Sequence, residues 1–303
     1  MITRSVARLA HAAVAASILL CAAGTPALAG PADAATGEYG SLLKRTSTTL
    51  VTVKFILKVS GQGMEDEKEN ETTGLMIEGD GLVLASNTQT GGINELMKQY
   101  VRQGYSIQPK DIKILVGDDN EGVDAKVIAR DSELDLAWIK IQKAPEKPYE
   151  FIDLSKHATP SLGDRLLAVE RMGKFFDRAP LVVEGRLGGI VSKPRSLYIP
   201  ASDLVSTLGL PIFTAGGELV GISILQLPSA EESEEGGRSL VGRAGGGTIL
   251  PAAEVIAATE RAKAAAAAGK PVEGEAVEGE KTEGEKKDAE GEKATEEKPG
   301  EMK

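Results

Sequence analysis

The sequence predicts an all-β protein in two halves, with a short helix inserted in the first half and a longer helix closing the second. Three observations carry this expectation. From Thr49 to Leu250, apolar residues come mostly in short, β-branched or alternating runs separated by Gly, Asp and Asn turns. The Pro-rich stretch Ala144-Pro145-Glu146-Lys147-Pro148 divides those runs into two sets. Helical character is confined to two stretches within this body, near residues 93–103 and 252–267.

Both ends of the 303-residue chain read as something other than core. Arg4 and Arg8 form a positive n-region, Ala12 to Ala23 an apolar stretch, and Ala27-Leu28-Ala29 an A-x-A cleavage site, so residues 1–29 are expected to be a secretory signal peptide. The apolar stretch is shorter and richer in Ala than the about 20 strongly apolar residues of a membrane-spanning helix. The alternative is lipoprotein anchoring through Cys21, against which Leu20 stands, because the residue before a lipidated Cys is normally small. Cleavage after Ala29 removes the single cysteine, and with it any disulfide, thiol nucleophile or Cys-based zinc site. The mature protein is expected to be exported, periplasmic or secreted. Residues 30–41 read as a linker.

Residues 270–303 cycle through Gly, Glu, Lys, Ala and Thr, as in Val272-Glu273-Gly274-Glu275 and Val277-Glu278-Gly279-Glu280. Such composition offsets little ordering entropy, and predicts a disordered acidic tail. It is either a solubilising segment or an electrostatic arm for a basic partner. The formal net charge of −10 argues against nucleic acid as a ligand. About 220 residues remain for folding, enough for one two-lobed domain or two small ones.

In the first half, residues 42–143, the expected strands are Thr49 to Lys58, the hairpin Thr73–Ile77 and Leu82–Ala85 around Gly79-Asp80-Gly81, then Ile112–Val116, Val123–Ala129 and Leu136–Ile141. Gly61 to Glu71 is charged and reads as a loop. Asp118 to Gly122 carries acids without EF-hand spacing and reads as a turn. Leu96, Met97, Tyr100 and Val101 share one helical face and predict a short helix packed on the barrel end. In the second half, residues 144–251, the expected strands are Arg165–Val169, Leu181–Glu184, Gly188–Lys193, Leu219–Leu225 and Gly247–Leu250, forming a second barrel or sandwich. Ala252 to about Ala267 is a strong helix former, ended by Gly269 and Pro271.

Six ordered motifs add a resemblance. Gly74-Leu75-Met76-Ile77 with Gly81 to Asn87, Leu134-Asp135-Leu136-Ala137-Trp138-Ile139-Lys140-Ile141, Leu162-Gly163-Asp164, Gly185 to Ser192, Leu210-Pro211-Ile212 with Gly216 to Ile222, and Gly246 to Pro251 resemble successive segments of HtrA-type (high-temperature-requirement) trypsin-like serine proteases. The resemblance covers about residues 42–257 and implies a chymotrypsin/trypsin-like double β-barrel. That family usually adds a PDZ domain of about 90 residues. About 45 residues follow Ala258, so no PDZ domain is expected in this sequence.

The resemblance also implies where a catalytic triad would stand, and the chemistry there is incomplete. The family's histidine position falls on Thr88 in Ala85-Ser86-Asn87-Thr88, its aspartate on Asp135, and its nucleophile, counted back from Pro211, on Leu208. Threonine has no group that ionises near neutral pH and leucine has no nucleophile, so no catalytic residue is expected. Ser206 and Thr207 are fallback hydroxyls. A misplacement of 1 Å alone costs about 10²-fold, and no base is identifiable for them. The sequence has two histidines; His11 lies in the leader and His157 in the polar segment preceding the second barrel, where an exposed loop residue is expected. The Leu210 that replaces a family glycine, and Ser206 that replaces another, alter the loop that would supply oxyanion donors.

Asp135, lacking a histidine to orient, is expected to accept backbone hydrogen bonds within the seam between barrels. Trp138 reads as core, and Phe175-Phe176 with Met172 as an exposed loop contact. No cofactor or metal is expected. The favoured reading is a pseudoprotease acting by protein or peptide binding, of unknown oligomeric state. The alternatives are a serine endopeptidase with a relocated nucleophile, and an envelope-associated structural protein whose acidic tail is functional.

Overall fold

A computed structural model describes residues 31–193, 195–201, 204–205, 207–226, 247–270 and 272. The predicted leader, with Cys21 and His11, the fallback Ser206 and nearly all of the acidic tail lie outside the described residues.

Twelve strands close two antiparallel barrels. The first comprises β1 (Leu50–Gly61), β2 (Met64–Glu78), β3 (Leu82–Ser86), β4 (Ser106–Val116), β5 (Val123–Asp131) and β6 (Leu136–Ile141), in the order β1-β2-β3-β6-β5-β4. The second comprises β7 (Arg165–Arg171), β8 (Pro180–Val191), β9 (Leu197–Pro200), β10 (Pro211–Thr214), β11 (Leu219–Ile224) and β12 (Thr248–Pro251), in the order β10-β11-β12-β9-β8-β7. The Pro-rich stretch at 144–148 runs without regular structure between them. Proline supplies no ladder donor, which favours a break in pairing.

Each barrel has its own apolar interior. Val51, Val53, Met76, Val83 and Ile139 fill the first, and Leu166, Leu187, Leu210, Ile212 and Val220 the second. A third cluster joins Leu50, Leu84, Trp138, Leu167 and Phe213 across the junction, and binds the helices to it. Burying each such side chain contributes about 1.5–3 kcal/mol.

The two expected helices form: α2 (Glu95–Arg102) and α3 (Ala252–Ala267). Asn94 starts α2, its side-chain oxygen accepting from the Met97 N–H at 2.9 Å. On α3, Val255, Ala258 and Ala262 are buried. Trp138 is 1% exposed and donates through Nε1 to Thr259 Oγ1 at 3.1 Å, locking α3 to the first barrel.

Three local expectations need correction. The residues expected as a linker, 30–41, fall mostly within a helix, α1 (Pro31–Thr46). This helix gains its stability from docking: Leu42 is buried at the junction, Arg165 Nη1 bonds Glu38 at 2.6 Å, and Arg45 Nη2 donates to the Gly217 carbonyl at 3.0 Å. The charged segment Gly61–Glu71, expected as a loop, is instead the outer part of the β1–β2 hairpin. Gln62 and Gly63 turn it with φ of 49° and 80°, as a two-residue hairpin turn requires. Cross-strand charge pairing suits its polar sequence to a ribbon: Lys54 meets Glu69 at 2.9 Å, Lys58 pairs with Glu65, and Lys110 with Glu67. Finally, the two expected strands Leu181–Glu184 and Gly188–Lys193 are one continuous β8, because its glycines face Ala201 and Ile199 closely rather than turning the chain.

Candidate functional site

The positions singled out in the sequence converge at one end of the junction. β3 ends at Ser86 directly beside Leu136, the first residue of β6. The next residue along β3's course, Asn87, donates its N–H to the Asp135 carbonyl at 3.0 Å. Asp135 is 2% exposed and left-handed, with φ of 54°, a conformation that a short polar side chain tolerates best after glycine.

Its carboxylate is enclosed by donors. Oδ1 accepts from the Thr88 N–H at 2.8 Å; Oδ2 accepts from Ser86 Oγ at 3.0 Å and from the Leu225 N–H at 3.1 Å. Leu225 lies just past the end of β11, so this one side chain ties the first barrel to the second. Burial pushes the carboxyl above the ordinary carboxylate range, opposed by the donors on Thr88, Leu225 and Ser86. Thr88 itself is held on the other side, its Oγ1 accepting from Asn94 Nδ2 at 3.2 Å. The turn carrying it is fixed by Arg130, which donates to Asn87 Oδ1 at 2.8 Å and to the Thr90 hydroxyl and carbonyl at 3.0 Å each.

The segment Thr207–Leu210 packs against this turn. Gly209 has φ of 80°, and a Cβ there would lie 2.8 Å from the Ser86 nitrogen. Ser223 on β11 staples the segment: its Oγ accepts from the Leu210 N–H at 2.8 Å and donates to the Thr207 carbonyl at 3.0 Å, while its carbonyl accepts from the Gly209 N–H at 2.7 Å. The amides of Gly209 and Leu210 are therefore consumed internally. Leu208 is half-buried, its side chain turned with Val205 toward Gly247 at the start of β12.

His157 is elsewhere. It is exposed, its Nδ1 lies 3.2 Å from the Leu154 carbonyl, and its backbone bridges Leu219 at the start of β11. Asp135 is bonded at the other end of that strand, six residues on, which is roughly 20 Å away at the usual rise. Phe175 and Phe176 are 92% and 56% exposed and meet edge to face. Among the described residues no group of three His, Cys, Asp or Glu is placed to hold a metal ion.

Residues 72–222, from the upper part of β2 to β11, match the family model described as a trypsin-like peptidase domain. The matched region is a trypsin-like peptidase domain. Two solved structures similar to the chain are a serine endoprotease from Yersinia pestis, at 19% identity and a TM-score of 0.47, and Deg5, at 14% and 0.47. The alignments cover 74% and 73% of this chain. They span 66% of the Yersinia chain's length and 91% of Deg5. No curated protein matches the sequence.

Within this trypsin-like domain the sequence resemblance located Thr88, Asp135 and Leu208, and the fold brings the first two into contact and the third onto the adjoining loop. Sequence reasoning missed Ser86, Ser223 and the Leu225 N–H, which complete the polar network. Ser86 and Ser223 carried one legible signal: each is a lone hydroxyl in an otherwise apolar strand, and a buried hydroxyl needs partners.

Proposed function

We propose that this chain is an exported trypsin-like domain that does not hydrolyse peptides and acts by binding a protein or peptide. The observation that carries the reading is the state of Asp135. Hydrolysis by a Ser-His-Asp mechanism needs an imidazole between carboxylate and nucleophile, since the carboxylate's role is to orient that ring. Here the carboxylate accepts from Thr88, Ser86 and Leu225 and serves as a cross-barrel tie, while His157 stands at the far end of β11. Leu208 brings an alkyl group where the resemblance expects a hydroxyl, and among the described residues no titratable side chain is bonded to the Thr207 hydroxyl. The scaffold and its surface loops remain, with Phe175 and Phe176 offering apolar contact area.

The test pairs two measurements on the mature protein. Casein incubated with it is expected to stay intact, and photo-crosslinking in the exported fraction is expected to enrich a defined partner that a Phe175→Ser, Phe176→Ser variant does not capture. Casein turnover that scales with enzyme concentration and survives further purification rejects the reading.

A further inference from the structure

A cavity of about 300 Å³ lies between α2 and the end of β5, beside the turn that carries Thr88. Asn87 separates it from the Asp135 network. The Asn87 N–H bonds the Asp135 carbonyl at 3.0 Å, and the same residue, 1% exposed, lines the cavity. Arg130 is held in the wall by Asn87 Oδ1 at 2.8 Å and by the Thr90 hydroxyl and carbonyl at 3.0 Å each. Gly92 fixes Asn87 in turn, because a Cβ at Gly92 would fall 1.8 Å from Asn87 Oδ1. One guanidinium is therefore in position before any ligand arrives, which lowers the ordering cost of binding.

On α2, Lys98, Val101 and Arg102 are spaced i, i+3, i+4, so they share one face, and all three line the cavity. Three cations, Lys98, Arg102 and Arg130, thus surround apolar Ile93 and Val101, the latter 38% exposed. No carboxylate lines the cavity among the described residues. The two acids of the adjoining β5–β6 turn are directed elsewhere. Asp131 Oδ1 accepts from the Leu134 N–H at 2.9 Å, and Glu133 pairs with Arg195 at 3.3 Å. Lys98 and Arg130 are each engaged within the chain as well, whereas Arg102 is exposed and enters no ion pair among the described residues. Like charges one helical turn apart, as Lys98 and Arg102 are, repel each other, and an anion shared with Arg130 turns that repulsion into attraction.

We propose that this cavity binds a small aliphatic carboxylate, its charge held by Arg102 and Arg130 with Lys98, and its alkyl group laid over Ile93 and Val101. A planar guanidinium meets a carboxylate as a two-point donor. A bare inorganic anion would leave the apolar surface of Val101 wet, and a neutral aliphatic group would leave the cations without a counter-charge. The cavity holds the equivalent of about ten water molecules at about 30 Å³ each, which suits a ligand of about ten non-hydrogen atoms. That is the size of one residue. The end of a peptide chain and a free short-chain acid both present this chemistry. Binding here is independent of whether the chain hydrolyses peptides.

Titration of the purified chain with N-acetyl-leucine, hexanoate, N-acetyl-leucinamide and inorganic phosphate, followed by amide NMR shifts, tests this. Saturable shifts are expected at Ile93, Lys98, Val101, Arg102 and Arg130 with at least one of the two carboxylates. The neutral amide and phosphate are expected to bind at least about tenfold more weakly, the scale of one charge-assisted hydrogen bond. Arg102→Gln changes an exposed side chain, and is expected to weaken the carboxylate about tenfold with Tm unchanged. The two carboxylates distinguish the sources: tighter N-acetyl-leucine assigns the cavity to the end of a peptide, and tighter hexanoate to a free acid. Four results each overturn the proposal: no saturable binding of either carboxylate, N-acetyl-leucinamide binding as tightly as N-acetyl-leucine, phosphate binding as tightly as the carboxylates, or Arg102→Gln binding like the wild type.

Discussion

Replacing Asp135 by Asn separates a structural carboxylate from a catalytic one. The aspartate accepts from two backbone amides, Thr88 and Leu225, and from the Ser86 hydroxyl, across the joint between the barrels. An asparagine keeps one acceptor. With its oxygen on the Thr88 N–H, its NH2 faces the Leu225 N–H, while Ser86 rotates to accept. One buried donor is left unpaired, at a cost of about 1–3 kcal/mol. Removing a charge that burial disfavours offsets part of this, so a net loss of about 1–2 kcal/mol is expected at neutral pH. For a domain of this size that lowers Tm by about 2–8 °C. The pH dependence has a definite sign. The folded state holds the Asp135 carboxyl above its ordinary range, so it binds that proton more tightly than the unfolded chain does. This group's contribution is full below the ordinary carboxylate range and declines as pH rises from there to the raised value, so the stability gap between wild type and Asp135→Asn narrows over that window. Urea denaturation of both proteins from acidic to neutral pH measures it. An Asn variant as stable as wild type throughout refutes the assignment of Asp135 as the tie between barrels.

Two other substitutions probe close contacts of the fold. Gly209→Ala puts a Cβ 2.8 Å from the Ser86 nitrogen at φ of 80°, and is expected to lose about 2–4 kcal/mol by thermal denaturation; a neutral result contradicts the close approach. Arg178 makes a bidentate pair with Glu71 at 2.7 and 3.0 Å and donates to Asn120 at 2.7 Å, with the Arg and Glu side chains 9% and 15% exposed. Arg178→Ala is expected to cost about 2–4 kcal/mol and Arg178→Lys to recover less than half of it, because an ammonium cannot reproduce the fork; equal stability of the two variants counts against the bidentate geometry.

Two all-β halves were legible because strand periodicity, turn residues and the break at Pro145 and Pro148 agree with one another, and the resemblance of the ordered motifs implied that both halves close into barrels. What was not legible depended on distant partners. Glu65 to Glu71 carries no apolar alternation, and its strand exists because Lys54, Lys58 and Lys110 line up opposite it. Helix α1 has little amphipathic pattern; Arg165 and Gly217, more than 100 residues away in sequence, hold it in place. At the site, Thr88 and Asp135 were found through a resemblance of motifs, and the expectation that Asp135 accepts backbone hydrogen bonds matches its bonds to Thr88 and Leu225. The Leu225 N–H and the Ser223 staple were hidden because a backbone donor has no sequence signature, and a serine's partners are set only when the barrels dock.

The proposed function of this trypsin-like domain turns on its lacking an activated nucleophile. Labelling the purified protein with a fluorophosphonate and measuring intact mass examines that most directly. No adduct is expected under conditions that label an active serine protease to completion. A stoichiometric adduct that maps to Ser206 or Thr207 would contradict it.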